Sequence, residues 1–423
     1  MHKKIVPLVL VLALVLAGTG SVWAADAMTR GQFAQLMVEV SGLEGELPAA
    51  DLLQEKGIMI GYPDGEMYLQ QGITRVEAVT LAAKALGLAD GIAPPATVIV
   101  PLPKDHWGYN YYGWLLRQGL VDGNPTDVFT VAEGEAFLRK IFSTDPEAVE
   151  ILEEAQLKAK EHKKMRIVMN GRMEMVAREG VAGAEEIPQI KTDMRLIQTS
   201  IFPDLIHQQN TMLMEVPGEE PLEITAEAYI VDGKMFQQMP DPETGEMQWF
   251  RYPDIPGLED VLKQSAEQQT EVIPAEMEEY LHYHLLDTIE IDGEEVYVIS
   301  FCGRIDDFNQ FMEAAFAQFG EGMQMQQALA PAAEMIKSMS YWGIQYIGAE
   351  DLLVRSADFS SIVVYADEIL GEPMPIEAAR MSMEIEEYDY DENIVIEVPD
   401  EVLAAPELDL AAPNRESEPE LPQ

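Results

Sequence analysis

The chain has 423 residues, 47% of them hydrophobic, with 75 acidic and 27 basic side chains and a formal net charge of −48. Residues 200–423 hold 49 of the acidic and 8 of the basic side chains, and such a surface repels nucleic acid and anionic lipid headgroups. The single cysteine, Cys302, excludes an intramolecular disulfide framework, and its apolar strand-like surroundings predict a buried, unreactive thiol.

The N-terminus predicts export from the cytoplasm. His2, Lys3 and Lys4 form a basic start, an aliphatic run follows over 5–17, and small residues come next at the spacing of a cleavage site. We therefore predict a signal peptide over residues 1–25 and a secreted, extracellular protein. No later stretch is long and apolar enough to cross a membrane, so we expect no transmembrane segment.

Three helix starts repeat in the residues that follow, each with a threonine cap. An apolar residue precedes the threonine, and Gln or Glu stands three positions later, as in a capping box, where each side chain bonds the other residue's backbone N–H. The capping pairs are Thr29 with Gln32, Thr74 with Glu77, and Thr130 with Glu133. Apolar residues recur behind each cap at helical spacing, which predicts three amphipathic helices.

Three motifs in this region carry a family resemblance. They are the turn Gly61-Tyr62-Pro63-Asp64-Gly65, the cap Ile73-Thr74-Arg75-Val76-Glu77 and the opening Asp105-His106-Trp107. Residues 26–145 resemble the S-layer homology (SLH) repeat module. The resemblance implies a helical module of three repeats that attaches to pyruvylated secondary cell-wall polysaccharide or peptidoglycan. The third repeat departs from the pattern, because Val131 stands where the family has arginine.

The resemblance also implies a set of glycan-binding residues. The candidates are Arg30, Arg75, Trp107, Tyr62 and Asp64. A pyruvate ketal carries a fixed carboxylate, which a guanidinium binds with two hydrogen bonds and a helix N-terminus favours. Arg30 and Arg75 lie in the first turn of a helix, where the helix dipole disfavours a cation. The alternative interpretation is that these arginines pair with acids between the repeats.

Residues 146–164 predict a helix that leads out of the repeat module. Pro146 suits the first helical position. Acidic residues come early in this segment and lysines late, in agreement with the helix dipole. We interpret this segment as a linker helix between two domains.

Residues 165–402 predict a second domain of antiparallel strands. Runs of alternating apolar and polar residues are separated by Gly, Pro and Asp-Gly turns, and two helical segments are expected over 258–268 and 307–339. Three segments carry a resemblance: Tyr229–Gln238, Tyr388–Asn393 and Ile396–Pro399. They resemble the outer-membrane lipoprotein carrier and mycobacterial LppX-like group, which implies a curved antiparallel half-barrel closed by helices over a hydrophobic cavity.

The chain holds 24 methionines, many of them in these predicted strands. Because methionine is flexible and polarizable, it suits either a loosely specified core or a cavity that takes irregular apolar ligands. The sequence leaves both interpretations open. A copper-binding methionine cluster is a third, which few His or Cys residues support.

The sequence contains no motif typical of catalysis. His282 and His284 share a strand face without an identifiable third ligand, and Asp389, Asp391 and Asn393 lack the glycine and glutamate of a calcium loop. We therefore expect no enzyme activity, no metal and no cofactor.

The predicted fold class is α+β with two domains, followed by a disordered, acidic, proline-rich tail over 403–423. The expected function is non-catalytic: the repeats attach the protein to the cell wall, and the β-rich domain is displayed there to bind an apolar ligand. The alternative is an envelope carrier of lipids or lipoproteins. The acidity of the chain predicts no nucleic-acid partner.

Overall fold

The structure is a computed structural model in which the chain divides into two units, Met1–Thr144 and Asp145–Gln423. The residues that it describes are 27–88, 91–181, 191–202, 204–216, 218, 220–241, 246–253, 280–306, 308, 311, 335–369 and 371–408. The predicted signal peptide, the predicted helix over 258–268 and residues 409–423 of the predicted tail lie outside them. Among the described residues, no helix has the length and apolar character needed to cross a membrane.

The described part of the first unit contains five helices. They are α1 (Arg30–Ser41), α2 (Ala49–Glu55), α3 (Arg75–Ala85), α4 (Tyr109–Arg117) and α5 (Val131–Ile141). Helices α1, α3 and α5 begin directly after Thr29, Thr74 and Thr130, each with a capping box. Gly42 ends α1 in the left-handed conformation, which glycine adopts without strain.

The residue before each threonine cap joins the three capped helices. The Met28 N–H donates to the Phe129 carbonyl at 2.8 Å, the Ile73 N–H to the Met28 carbonyl at 2.9 Å, and the Phe129 N–H to the Ile73 carbonyl at 3.0 Å. These bonds close a ring, and the side chains of all three residues are buried. The three helix starts therefore have equivalent backbone surroundings.

The second unit is built on one large antiparallel sheet. The helices among its described residues are α6 (Pro146–Glu161) and the short α7 (Asp400–Leu403). Its strands are β1 (Lys164–Ala177), β2 (Lys191–Ile201), β3 (Leu205–Glu215), β4 (Leu222–Val231), β5 (Lys234–Pro240), β6 (Met247–Arg251), β7 (Leu281–Ile291), β8 (Glu294–Ile305), β9 (Ile336–Gly348), β10 (Val354–Tyr365), β11 (Glu368–Ile369), β12 (Glu372–Pro373) and β13 (Ile376–Asp389). Within the described residues, an 11-stranded sheet has the order β6-β5-β4-β3-β2-β1-β13-β10-β9-β8-β7, while β11 pairs with β12.

Helix α6 packs on one face of this sheet at the end formed by β7, β8 and β9. Its buried residues Ala148, Ile151 and Ala155 join a core cluster that includes Phe301 and Tyr341. The helix forms where it is predicted, but it is part of a core rather than a linker. Its apolar residues recur at three- and four-residue spacing, so they make a stripe that the sheet covers.

One predicted helix boundary differs from the structure. The prediction extends a helical segment over 307–339, whereas β9 begins at Ile336. Residues at this start pair with β10, for example Met339 with Val363. Pairing with a distant strand thus decides the conformation of these residues, which local sequence does not reveal. Most of the predicted segment lies outside the described residues.

The second unit also extends beyond the predicted start of the tail at 403. The Arg251 N–H donates to the Pro406 carbonyl at 2.8 Å, and the Leu408 N–H donates to the Arg251 carbonyl at 2.8 Å. Val402 of α7 is buried in a cluster with Tyr229 and Phe236. These contacts attach residues 402–408 to the strands at the β6 end of the sheet.

Candidate functional site

One side of the sheet carries rows of mainly apolar side chains across β10, β13, β1, β2, β3 and β4. Residues opposite each other on paired antiparallel strands lie on the same side of the sheet, so the register defines the rows. One row is Phe359, Met383, Gly171, Met194, Met212 and Ile224. The next row is Ser361, Met381, Met173, Thr192, Met214 and Leu222.

We call this side of β13 and β1 to β4 the methionine face. Its methionines are Met165, Met169, Met173, Met175, Met194, Met212, Met214, Met381 and Met383. Met165 is buried, and the others are half-buried. Because thioether side chains are flexible and polarizable, such a surface adapts to apolar groups of irregular shape.

Gly171 lies in the middle of the methionine face. A Cβ atom at Gly171 would meet Met194 Cε at 3.2 Å and Met383 Cε at 3.5 Å. The two methionine side chains therefore extend over the glycine from both neighbouring strands. The space that a larger residue would take is filled here by the ends of flexible side chains.

Charged residues are absent from the methionine face in β1 to β4, all of whose residues are described. In β2, for example, the residues on this side run from Thr192 through Met194, Leu196 and Gln198 to Ser200. The chain as a whole carries a formal net charge of −48. An uncharged face of this extent in so acidic a protein indicates a surface that is covered, by another part of the chain or by a ligand.

The opposite side of the same strands is charged. Arg172 donates to both carboxylate oxygens of Asp193, at 2.6 and 2.9 Å, and Arg195 lies 3.6 Å from Glu386. The hydrogen bonds from Arg172 lower the pKa of Asp193. This side therefore faces solvent, and the two sides of the sheet have opposite chemical character.

The end of the methionine face near the start of β1 carries amide and hydroxyl groups. Gln208 Nε2 donates to Gln198 Oε1 at 2.6 Å, and Gln198 Nε2 lies 3.2 Å from the Ser200 hydroxyl, to which it donates. Asn210 follows Gln208 on the same side of β3, and its Oδ1 is buried without a hydrogen-bond partner among the described residues. Along the strands, the face thus changes from thioethers to amides.

Arg30, a predicted glycan-binding residue, is buried inside the first unit. Its Nη1 donates to Glu77 at 2.6 Å and its Nε donates to the Met67 carbonyl at 3.0 Å. Its guanidinium also lies 4.8 Å from the centroid of the Tyr62 ring. The contacts of Arg30 therefore agree with the alternative to glycan binding, in which the arginine pairs with an acid of the next repeat.

Glu77 combines this ion pair with its role in the capping box. One of its oxygens accepts hydrogen bonds from the N–H and the hydroxyl of Thr74, at 2.8 and 2.7 Å. Burial raises the pKa of Glu77, but hydrogen bonds from Tyr62 and Thr74 and the charge of Arg30 outweigh it and hold the pKa below its ordinary value. Glu77 is therefore ionised at neutral pH and links the first two repeats.

Arg75 has the equivalent position in the second repeat, with weaker partners. Its guanidinium nitrogens lie 3.5 Å from Glu133 and 3.9 Å from the fully exposed carboxylate of Asp122. A Cβ atom on Gly123 would meet Arg75 Nε at 3.2 Å, and the Phe129 ring centroid is 4.5 Å from the guanidinium carbon. The Nε has no hydrogen-bond partner among the described residues. Arg75 thus keeps more hydrogen-bonding capacity than Arg30.

The first backbone N–H groups of α1 and α3 are used within the protein. The Arg30 N–H donates to the Gln71 carbonyl at 2.9 Å, and the Arg75 N–H donates to the Asp127 carbonyl at 2.8 Å. The expectation that these helix starts offer N–H groups to a ligand carboxylate is wrong for these two groups, because loops of the neighbouring repeat already supply an acceptor.

Two further predicted glycan-binding residues lie at the surface of the first unit. The Trp107 side chain is 58% exposed, and its ring lies 5.0 Å from that of His106. Asp64 accepts hydrogen bonds from the Tyr68 hydroxyl and from the Glu66 N–H. Of the predicted glycan-binding residues, Tyr62 thus packs against Arg30, whereas Trp107 is accessible at the surface.

The residues considered for metal binding or reactivity lie in ordinary structural surroundings. Burial, with a contribution from His284, lowers the pKa of His282. Burial also raises the pKa of Cys302 to about 12. In the part of the chain that the structure describes, no group of three or more His, Cys, Asp or Glu side chains could hold a metal ion.

The sequence alone does not identify the amide residues or the individual methionines of this face. A signal for the methionines exists in three strands, where Met-x-Met pairs put both side chains on one face. These pairs are Met173 with Met175, Met212 with Met214, and Met381 with Met383. Asn210 and Gln208 lie in a run of polar residues, and only the register separates those on the methionine face from those facing solvent.

Comparisons with known proteins relate mainly to the second unit. Residues 147–407 match the family described as "Family of unknown function (DUF6612)". The search of curated proteins finds no match to this chain. The solved structure of LprF from Mycobacterium bovis is similar with 11% identity, covering 61% of this chain and 99% of that one, at a TM-score of 0.26.

Two further solved structures are similar at the same level. The lipoprotein LppX from Mycobacterium tuberculosis has 10% identity, with 60% of this chain and 100% of that one covered, at a TM-score of 0.26. MucB has 8% identity, with 61% and 64% covered, at a TM-score of 0.24. All three scores are below 0.5, so the assignment of a function rests on the contacts within this chain.

Proposed function

We propose that this chain, which belongs to the DUF6612 family of unknown function, binds an apolar ligand on the methionine face of its second unit and catalyses no reaction. The single observation that carries the proposal is the uncharged, half-buried surface of β1 to β4 and β13 in a chain of formal net charge −48. Flexible thioethers give an apolar ligand many contacts without requiring one exact shape.

Burial of the methionine face by an apolar ligand would stabilise the complex. Apolar area removed from water contributes about 25 cal/mol per Å². Half-buried methionines such as Met194 and Met212 still have area to lose. A ligand that lies across the row from Met383 to Met212 covers the methionine side chains of β13, β2 and β3, and each of them adds buried apolar area.

Two variants on β3 test the site. Met212→Lys puts an ammonium group on the methionine face, where an apolar ligand would strip it of water without offering a partner. We expect its affinity for the uncharged dye phenylnaphthylamine to fall more than tenfold from the wild-type value, measured by fluorescence titration. Leu213→Lys is the matched control, because Leu213 is the next residue, is also half-buried and lies on the opposite side of the sheet. Its affinity should stay within about twofold.

Two results would contradict the proposal. The first is the absence of dye binding to the wild-type chain at any concentration, which would mean that the face is closed by other parts of the protein. The second is an equal loss of affinity in both lysine variants, which would put the dye elsewhere. Circular dichroism of both variants checks that the sheet has formed.

A second candidate function is attachment of the exported protein to pyruvylated cell-wall polysaccharide through the first unit. The observation that favours it is Arg75, whose terminal guanidinium nitrogens lie 3.5 and 3.9 Å from their acidic partners, too far for a close ion pair. A ketal carboxylate would supply the acceptor that this guanidinium lacks. Together, the two candidates describe a wall-attached protein that holds an apolar ligand, or an envelope carrier if attachment fails.

Sedimentation of the whole protein with purified cell walls tests the attachment. We expect Arg75→Ala to reduce the bound fraction at least fivefold, and removal of pyruvate from the walls to have the same effect on the wild-type protein. Arg139→Ala is the control, since Arg139 is an exposed arginine that pairs with Glu135 on its own helix. Equal binding of all three proteins would rule out Arg75 as the attachment residue.

A further inference from the structure

The amide end of the methionine face has a role of its own if an apolar ligand binds there, and this inference rests on the proposed function. We infer that the ligand is a lipid with an uncharged head group that donates a hydrogen bond, such as a hydroxyl or an amide. The head group would lie at Asn210 and Gln208, and the acyl chain would lie along the methionines.

The unsatisfied acceptor on Asn210 supports this assignment. Its Oδ1 is buried and makes no hydrogen bond among the described residues, and buried polar atoms in native proteins nearly always have a partner. Two neighbouring amides on the same face already bond each other, because Gln208 donates to Gln198. Asn210 is the next residue on this side of β3, so a ligand donor would extend the series of hydrogen bonds by one.

The absence of charge decides the kind of head group. No described residue of β1 to β4 on this face carries a positive charge, so a carboxylate or phosphate head group would lose its water without gaining a cation. The net charge of −48 adds a repulsive field for any anion. A neutral hydroxyl or amide avoids both costs and supplies the hydrogen that Asn210 accepts.

The spacing along β3 fits one amphipathic molecule. Asn210 and Met212 are two residues apart on the same side of the strand, which corresponds to about 7 Å. Met214 extends the apolar surface by a similar step. A head group at Asn210 would therefore leave the first carbons of its acyl chain beside Met212, in the row that continues through Met194 and Gly171 to Met383.

Three competitors with the same chain test the inference in the full-length protein. Oleyl alcohol has a neutral donor, methyl oleate is neutral without a donor, and oleate is an anion at pH 8. Each is used to displace phenylnaphthylamine. We expect oleyl alcohol to bind about tenfold more tightly than methyl oleate, the effect of about one hydrogen bond, and oleate to bind most weakly.

The variant Asn210→Leu should remove the preference for the alcohol. Its affinity for methyl oleate should stay within about twofold, because the apolar contacts remain. Thr211→Val is the matched control, since Thr211 is the next residue and bonds Thr225 on the opposite side of the sheet. It should keep the tenfold preference.

The outcomes separate this inference from the proposed function. If all three competitors bind equally, or if Asn210→Leu keeps the preference for the alcohol, the head-group inference is wrong and the apolar site stands. If oleate binds most tightly, the exclusion of anions is wrong. If neither the dye nor any competitor binds, both the site and the inference fail.

Discussion

Glu77 and Glu133 have the same position in successive repeats, yet they hold their arginines differently. The nearest Arg30 nitrogen is 2.6 Å from Glu77, whereas the nearest Arg75 nitrogen is 3.5 Å from Glu133. Tyr62 contributes to the difference, because its hydroxyl donates to Glu77 and its ring lies beside Arg30. The same pair of residue types therefore makes a tight contact in one place and a loose one in the other.

The third pair of equivalent positions has lost both charges. Val131 begins α5 where Arg30 begins α1 and Arg75 begins α3, and Gln32 takes the capping position of the two glutamates. With valine and glutamine at these two positions, no cation is present that would need an acid from the next repeat. The loss of the arginine at Val131 together with the loss of the glutamate at Gln32 is expected if these positions pair between repeats. A role of the arginine in ligand binding alone does not explain why the glutamate is lost as well.

Glu77→Gln should destabilise the first unit by about 3 kcal/mol, because it leaves the buried Arg30 cation without its counterion. Glu133→Gln makes the same change at the equivalent capping position, where the ion pair is longer and its acid half-exposed, and should cost about 1 kcal/mol or less. Hydrogen exchange of the α3 and α5 amides, followed by mass spectrometry, measures both losses. Equal losses would contradict the distinction between the two arginines.

The pH dependence of the same variants provides a second measurement. The folded pKa of Glu77 lies below its ordinary value, so its contribution to stability is present at neutral pH. That contribution is lost as the pH falls from the ordinary range, about 4.3, through the lower folded pKa. The difference in stability between the wild-type protein and Glu77→Gln should therefore shrink below pH about 4. A constant difference from pH 7 to pH 3 would mean that Glu77 does not act as a carboxylate.

The sequence predicts individual elements better than it predicts what they contact. Thr29, Thr74 and Thr130 mark the starts of α1, α3 and α5, because a capping box depends on residues only three positions apart. The ring of backbone bonds through Met28 and Ile73 joins residues far apart in the chain, and no local pattern reveals it.

The same limit applies to the sheet and to the helix before it. Alternating residues predict the strands, and alternation also divides the methionines of β1 from Arg172 on the other side. The pairing of β1 with β13 puts Gly171 beside Met383, and this long-range register assembles the candidate site. Helix α6 is predicted as a helix but not as part of the core, since an amphipathic helix does not identify its partner from its own sequence.

At the scale of the whole molecule, the first and last described segments of the second unit lie against opposite ends of the sheet. Helix α6, at its beginning, packs against β7 and β8, and the Asp145 N–H donates to the Tyr283 carbonyl at 2.7 Å. Residues 406–408, the last that the structure describes, bond to Arg251 of β6. Strands β6 and β7 are the edges of the described sheet, so each edge receives backbone bonds from one end of the unit.

This arrangement predicts which fragments fold. The sequence predicts a second domain over residues 165–402, but that fragment lacks α6 and residues 403–408. We expect residues 145–408 to unfold in one cooperative urea transition, and residues 165–402 to show no such transition. Burial of a single isoleucine such as Ile151 contributes about 1.5–3 kcal/mol, and the loss of the whole helix approaches the 5–15 kcal/mol that holds an ordinary domain together. A third fragment, residues 145–402, separates the two ends, because it keeps the helix but loses the backbone bonds and the ion pair of residues 403–408 with Arg251 and the packing of Ala405, so it should fold with a lower urea midpoint. Unfolding of residues 165–402 at the same midpoint as residues 145–408 would contradict this prediction, since the sheet would then need neither of these two segments.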